Sequence, residues 1–448
     1  MSDFTSVSLN DSVRNGNKGF SRWLTTTSGV VLMLLFVQFA SGLLLSFYYV
    51  PSVDHAYTTV AFIEKATSSG SWIRSLHHYG SQWLPFFVLL HVFRLAFCEA
   101  YKYRKLHWIA TVILLGLVMA AGATGYSLPW DARAFFSTRV AEGLLGGLPV
   151  IGRMARLWLL GGGEISTLTL SRFFALHVLV TPFLILLIVG VRLAKQSGGN
   201  AGWEALSRNA IAAGVVFVVL ALWTLKFHAP LGPSISDATA KYLPRPGGQF
   251  LWLYQTLKYV PGSLGSIVGV VIPSLALLVL LTLPWLDGAM LKNLSSHPQR
   301  LIATLILGVA AVWILGMTTA SYLSDRRDPR SRQQLAKQAA EEDTFRRAPF
   351  RQVALNMSAE TSRNPPPRAY TTFCVMCHGE RGEGATQAKL KFPPLIGVAS
   401  KPRRTRDDII GLLNDPAAYG LQPPMRSFAT KLTEQEKTEI ADWVVTLK

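Results

Sequence analysis

Arg74-Ser-Leu-His77-His78-Tyr-Gly80-Ser-Gln-Trp-Leu-Pro-Phe-Phe-Val-Leu-Leu-His91-Val-Phe-Arg94 is the stretch that decides the fold. Its second half is an apolar run broken by one imidazole. A titratable side chain inside a bilayer-crossing run is costly and marks a functional position by default. His77 and His91 stand 14 residues apart, close to four helical turns, so they share one helix face. At 1.5 Å of rise per residue they are about 21 Å apart, which suits two groups in opposite halves of one bilayer. His78 falls out of that register.

Working outward, the rest of the chain reads the same way. Half of its 448 residues are hydrophobic and 16% are charged, against about 25% in a soluble domain. This excludes a soluble cytosolic enzyme and a disordered chain. Stretches near the 20 residues that a roughly 30 Å hydrocarbon layer requires occur at 29–50, 82–100, 107–128, 172–193, 209–226, 263–284 and 301–321. The expected fold is therefore all-α, a seven-span helix bundle over 1–321 in a lipid bilayer, followed by a small helical domain. No cleavable signal peptide and no internal repeat are evident. Segment 129–171 is Gly-rich and broken by Pro129 and Pro149, and reads as interfacial, as does 227–262. The net charge of +18 is interleaved with apolar runs and forms no basic arm, so nucleic acid is not an expected partner.

Basic residues set the orientation. Arg14, Lys18 and Arg22, then Lys102, Arg104 and Lys105, then Lys195 and Arg208 fall on one side of a seven-span chain. The positive-inside rule puts that side, with the N-terminus, in the cytoplasm. Residues after 321 then lie outside it. Residues 322–368 read as a polar linker closing with Pro365-Pro366-Pro367, and 369–448 as a domain of about 80 residues.

That domain carries Cys374-Val-Met-Cys377-His378. The CxxCH spacing lets two thiols add to the two vinyl groups of one haem, with the histidine beneath the iron. Zinc would need about four ligands, and no second Cys/His pair is near. Met425, 47 residues after His378, is the expected second axial ligand, ahead of Met357 and Met376. An amphipathic closing stretch, Leu432–Leu447, follows. The domain resembles class I cytochrome c. With only three cysteines, a disulfide framework is excluded. Covalent haem attachment belongs to the periplasmic side of a bacterial inner membrane, in agreement with the charge-derived topology.

His177 opens the fourth span as His77 opens the second, so the two can clamp one haem b iron at the same depth. Several stretches together resemble cytochrome b of bc-type quinol oxidoreductases. They are the 74–94 stretch, Gln38-Phe-Ala-Ser-Gly42, Phe47-Tyr-Tyr, Gly125-Tyr126-Ser-Leu-Pro129-Trp130 and Leu170-Ser-Arg-Phe-Phe-Ala-Leu-His177. The resemblance runs over about residues 20–320. It implies that His77 and His177 hold an outer haem b, that Arg74 and Arg94 pair with haem propionates, and that Gly42, Gly80 and Gly125 allow close approach. It also implies a separate Rieske iron–sulfur subunit, a periplasmic electron carrier, a quinol substrate and a two-fold dimer or larger complex.

Two departures stand out. The resemblance calls for a second inner-haem histidine, to pair with His91, 14 or 15 residues after His177, where Val191 and Arg192 stand. Valine has no donor atom and guanidinium has no lone pair to give. The inner haem is therefore expected to be lost or altered: absent, held by His91 alone, or completed by His107 or His297. The family's Pro-Glu-Trp-Tyr segment corresponds to Pro246-Gly247-Gly248-Gln249-Phe250, without the carboxylate. Quinol oxidation releases protons and requires a base. Tyr126, Pro129, Trp130 and Asp131 are the candidate quinol-site lining, with Asp131 or Glu142 a possible replacement acid. The expected function is electron transfer between quinol, an outer haem b and a tethered haem c. The competing expectation is a non-catalytic membrane anchor presenting haem c to another complex.

Overall fold

The computed structural model describes residues 26–196, 203–235, 242–290, 296–350 and 365–447, except 380, 381, 383, 388, 389, 403, 422–424 and 426. Arg14, Lys18, Arg22 and Met357 lie outside these residues, as do the side chains of Lys195, His297 and Met376. The chain divides into two compact units, Met1–Gly161 with Ser166–Ala348, and Pro349–Lys448 with Gly162–Ile165.

The first unit opens with α1 (Thr27–Ser46), α2 (Ala56–Ala66), α3 (Gly70–Phe97), α4 (Ala100–Tyr103) and α5 (Lys105–Ser127). It continues through α6 (Ala132–Gly146), α7 (Gly152–Leu160), α8 (Thr167–Ala175), α9 (Thr181–Gln196) and α10 (Trp203–Lys226). Then come α11 (Leu251–Lys258), α12 (Ile272–Met290), α13 (Ser296–Arg327) and α14 (Pro329–Arg347). Among the described residues, 7 helical segments are long and apolar enough to cross a membrane. The second begins at Gly70 rather than near 82. Its first three turns are rich in Ser, His and Gly, so hydropathy passes over them, yet their polar groups find partners inside the bundle.

The first five spans share one core, built from Val30, Leu34, Leu76, Leu84, Val88, Leu114, Val118, Ile185 and Leu220. A second cluster joins spans two, three, six and seven through Val92, Leu95, Trp108, Val112 and Leu307, with Leu280 packed against it. Two spans carry a π-helical turn, Leu176–Val180 and Ile267–Val271. Each lies just before a proline, Pro182 and Pro273. Proline lacks the N–H for the carbonyl four residues back and crowds it, which widens the preceding turn.

The polar segment after Tyr322 is helical through Arg347 and is tied to the membrane unit. Arg245 holds Asp325 with two hydrogen bonds at 2.9 and 2.8 Å. Gln338 and the backbone of Leu243 exchange hydrogen bonds at 3.0 and 3.2 Å. Glu342 pairs with Arg133, and the Lys65 ammonium reaches the carbonyls of Phe345 and Ala348.

The second unit holds α15 (Arg368–Phe373), α16 (Val375–His378), α17 (Arg406–Asn414) and α18 (Glu434–Thr446). A two-stranded antiparallel ribbon, β1 (Ala385–Gln387) with β2 (Leu390–Phe392), pairs Thr386 with Lys391 and is the only departure from an all-α fold among the described residues. Capping boxes start the last two helices, at Thr405 with Asp408 and at Thr433 with Glu436. Tyr370 packs on Trp443, ring centroids 4.4 Å apart, in a core that includes Cys374, Ile409, Leu413 and Ile440.

Candidate haem and quinol sites

His77 on α3 and His177 in the first π turn face one another, ring centroids 6.0 Å apart and planes at 80°. Proline-driven widening thus places a ligand candidate in a turn type that is frequent at functional sites. Ser41 Oγ donates to the Val37 carbonyl at 2.5 Å, so at 3.0 Å from His77 Nδ1 it accepts. His177 Nδ1 lies 3.0 Å from the Ala121 carbonyl, which can only accept. Both rings therefore carry their proton on Nδ1 and keep the Nε2 lone pair. Imidazole nitrogen sits about 2 Å from a bound metal, with the ring centre a little over 1 Å beyond, so axial rings on one iron have centroids about 6 Å apart. The residues fit a haem iron between them.

The three glycines singled out by sequence border this pair. A Cβ at Gly42 would lie 3.0 Å from His77 Cε1, and one at Gly125 would lie 2.4 Å from His177 Cε1. At Gly80 it would strike Gln38 Nε2 at 2.3 Å. Gly42 and Gly125 make room for the imidazoles themselves. Arg74 is buried and holds Glu64 at 2.7 Å and the carbonyls of Ala229 and Pro230. Three of its five N–H groups are thus committed before any propionate is met, a partner set that sequence reading missed.

His91 lies deeper along α3, as the 14-residue spacing requires. Its Nδ1 is 2.8 Å from Thr27 Oγ1, and its Nε2 is buried without a partner. His107, at the start of α5, brings its ring centroid to 5.7 Å from that of His91, with planes at 87°. Arg94 and Arg192 bear on the pair electrostatically. Thr27 and Ser41 are themselves 14 residues apart on α1, and so present hydroxyls at the spacing of the two α3 histidines.

The segments expected to line a quinol site meet. Tyr126 donates to the Arg245 carbonyl at 2.9 Å, Gly247 rests on the Tyr126 ring, and Gln249 lies against Gly122. Gln82 abuts Gly248 and bonds His78 Nε2 at 2.8 Å. Trp130, after Pro129, is buried and held at φ 53. The two candidate acids are committed elsewhere. Asp131 caps α6 through Ala134 N–H at 2.8 Å and also accepts from Gly232 N–H at 2.7 Å. Glu142 holds Arg139 and Arg156. Gln249 Oε1, beside Gly122, is one of the buried acceptors without a partner among the described residues. Neither it nor His78 stood out in the sequence.

In the second unit, the CxxCH residues form one helical turn, with His378 N–H on the Cys374 carbonyl at 2.9 Å. Both thiols are free. Burial pushes the Cys374 thiol up to about 11, and Cys377 beside it adds to the effect. Burial also lowers the His378 pKa. His378 Nδ1 donates to the Pro393 carbonyl at 3.1 Å, which leaves the lone pair on Nε2 and would let that atom ligate a metal. Met425 packs against the cluster that contains Cys374. Among the described residues no group of three His, Cys, Asp or Glu is arranged for a metal ion. This site fits a covalently held haem.

Comparison with known proteins follows the same division. Residues 18–195 match cytochrome b/b6/petB, 245–327 match the cytochrome b (C-terminal)/b6/petD family, and 367–448 match cytochrome c. Cytochrome b6 of Prochlorococcus marinus (strain NATL1A) is 37% identical over 158 residues, 35% of this chain and 72% of that protein. The chain belongs to the cytochrome b/b6 family. Cytochrome b6 of Mastigocladus laminosus is likewise 37% identical over 158 residues, covering 74% of its length. A solved structure titled Hyperthermophilic respiratory Complex III shares the fold at a TM-score of 0.56 and 22% identity, over 72% of this chain and 89% of that one. This cytochrome b, with its C-terminal cytochrome c domain, is a multi-pass membrane protein and a bc-type electron-transfer subunit. Haem b and haem c are the groups its two parts imply.

Proposed function

We propose that the chain is the redox subunit of a bc-type quinol oxidoreductase that oxidises quinol on its outer side. The observation that carries this reading is the His77–His177 pair, with each Nδ1 at a hydrogen-bond acceptor, which leaves the lone pair on Nε2 for a metal. Haem b bound there and haem c on Cys374 and Cys377 supply the one-electron carriers. The chain's own residues handle the substrate. Gln249 Oε1 accepts a hydrogen bond from a quinol hydroxyl. An amide is no base, so the proton needs a second acceptor, and in this cluster that is His78, whose Nε2 exchanges its hydrogen bond from the Gln82 amide for the proton. Tyr126, Pro129 and Trp130 shape the apolar wall. Asp131 is left out of this role because its oxygens already hold α6 and Gly232.

The setting is a bacterial inner membrane, with the N-terminus cytoplasmic and the cytochrome c domain periplasmic. Lys102, Arg104 and Lys105 at one end of the bundle and the chemistry of thioether attachment support that orientation. The partners are a separate Rieske iron–sulfur protein, a periplasmic electron acceptor and a second copy of the chain.

The test is reduction of the detergent-purified full chain with a short-chain benzoquinol, followed in the b-type and c-type absorption bands. Reduction of the b-type band, lost in His77→Leu and slowed at least tenfold in His78→Phe, is the expected result. A b-type band that quinol leaves oxidised overturns the reading in favour of a membrane anchor for the cytochrome c domain.

A further inference from the structure

We propose that His91 and His107 are the two axial ligands of a second haem b in the inner half of the membrane unit. A histidine on the third span would thereby replace the imidazole missing from the fourth. The inference deepens the preceding one and rests on its reading that the membrane unit binds haem.

Three observations converge. First, the chain contains its own ruler. The outer pair has centroids 6.0 Å apart and planes at 80°, while the inner pair has 5.7 Å and 87°. Two imidazole pairs in one bundle share a geometry that suits one iron between each. Second, His91 Nε2 is buried with no hydrogen-bond partner. A buried orphan of this kind is costly, and a packing histidine would be expected to satisfy it. Thr27 holds the opposite nitrogen, so the orphan is fixed in place as a ligand atom would be. Third, the guanidiniums of Arg192, Arg104 and Arg94 all bear on His107. Among the described residues no carboxylate pairs with any of the three. Two haem propionates supply the charge this cluster lacks. Arg192 thus stands where the family's histidine would, as a counter-charge for the group that histidine would have ligated.

The location is also suitable. His77 and His91 are about 21 Å apart along α3 by helix rise, so the two irons would lie in opposite halves of the bilayer.

The experiment is a haem count on the purified full chain by alkaline pyridine spectra, with near-infrared magnetic circular dichroism to read the axial ligands. The expected wild type carries about two b-type haems per c-type haem, both b-type haems low-spin with two imidazoles. His107→Leu is expected to lose one b-type haem while the quinol-reducible outer one stays. His107→Met is expected to keep it with an imidazole–thioether signature. A wild type with one b-type haem overturns this inference and leaves the proposed function standing. A high-spin second haem overturns it in favour of His91 alone. Two bis-imidazole haems in His107→Leu, or an unchanged signature in His107→Met, overturn the assignment of His107. A wild type without any b-type haem overturns both readings.

Discussion

Trp108 donates its indole N–H to the carbonyl of Leu280 at 2.6 Å, the carbonyl that Pro284 leaves without its helical donor. A proline inside α12 removes one ladder hydrogen bond, and a side chain from another span replaces it. Trp108→Phe is expected to lower stability in detergent by about 1–3 kcal/mol, the cost of a buried unpaired carbonyl. Pro284→Ala restores the N–H. In that background Trp108→Phe should cost markedly less, which a double-mutant cycle on thermal unfolding would measure. Equal costs in both backgrounds would rule out this division of labour.

As a haem ligand, His77 would take its electronic character from Ser41, which accepts from its Nδ1–H. A hydrogen bond from Nδ1–H makes the imidazole a stronger donor to the metal and so favours the oxidised iron. In Ser41→Ala the outer haem should be retained, with its midpoint potential raised. A bond of about 1 kcal/mol corresponds to a shift of about 40 mV at 59 mV per tenfold. Redox titration of the b-type band checks the sign as well as the size.

The glycines beside the two rings predict a graded series. Gly125→Ala brings a methyl to 2.4 Å from His177 Cε1, and Gly42→Ala brings one to 3.0 Å from His77 Cε1. The former should abolish outer-haem binding, while the latter should retain a large part of it. Equal haem content in the two variants would show that neither ring is held where it is seen.

Acid should loosen α14. The hydroxyl and N–H of Ser331 hold Asp328, the N-cap of the helix, below the usual carboxylate range, and Arg346 and Arg347 do the same for Asp343. A carboxylate with a depressed folded pKa contributes stability above its unfolded value, about 3.9, and loses it as pH falls through the folded one. Amide exchange in 329–347, corrected for the intrinsic pH effect, should accelerate below about pH 4 and remain flat from there to neutrality.

Much of this could be read in the sequence. The seven spans and the CxxCH turn follow from apolar length and cysteine spacing, which are local signals, and the His77–His177 pair from the matching places of the two residues at the openings of spans two and four. The start of α3 was hidden because residues 70–81 satisfy their polarity through tertiary partners such as Glu64 and Ser41, which hydropathy does not register. Spacing alone left the inner haem absent, held by His91 alone, or completed by His107 or His297, because proximity between helices is set by packing. One signal was present and unread: Thr27 and Ser41 repeat on α1 the 14-residue interval of the α3 histidines. Asp131 looked available as an acid next to Trp130. One oxygen caps α6 through Ala134 N–H, and the other is taken by the Gly232 N–H, far along the chain.

The two histidine pairs differ in how much chain each encloses. His91 and His107 belong to one helical hairpin, whereas His77 and His177 are separated by the third span and the whole interfacial segment. During synthesis the inner pair can come together once the third span has entered the bilayer, while the outer pair must wait for the fourth. If each pair holds a haem as proposed, the order in which the two sites can form is written into the connectivity, and it runs from the inside out.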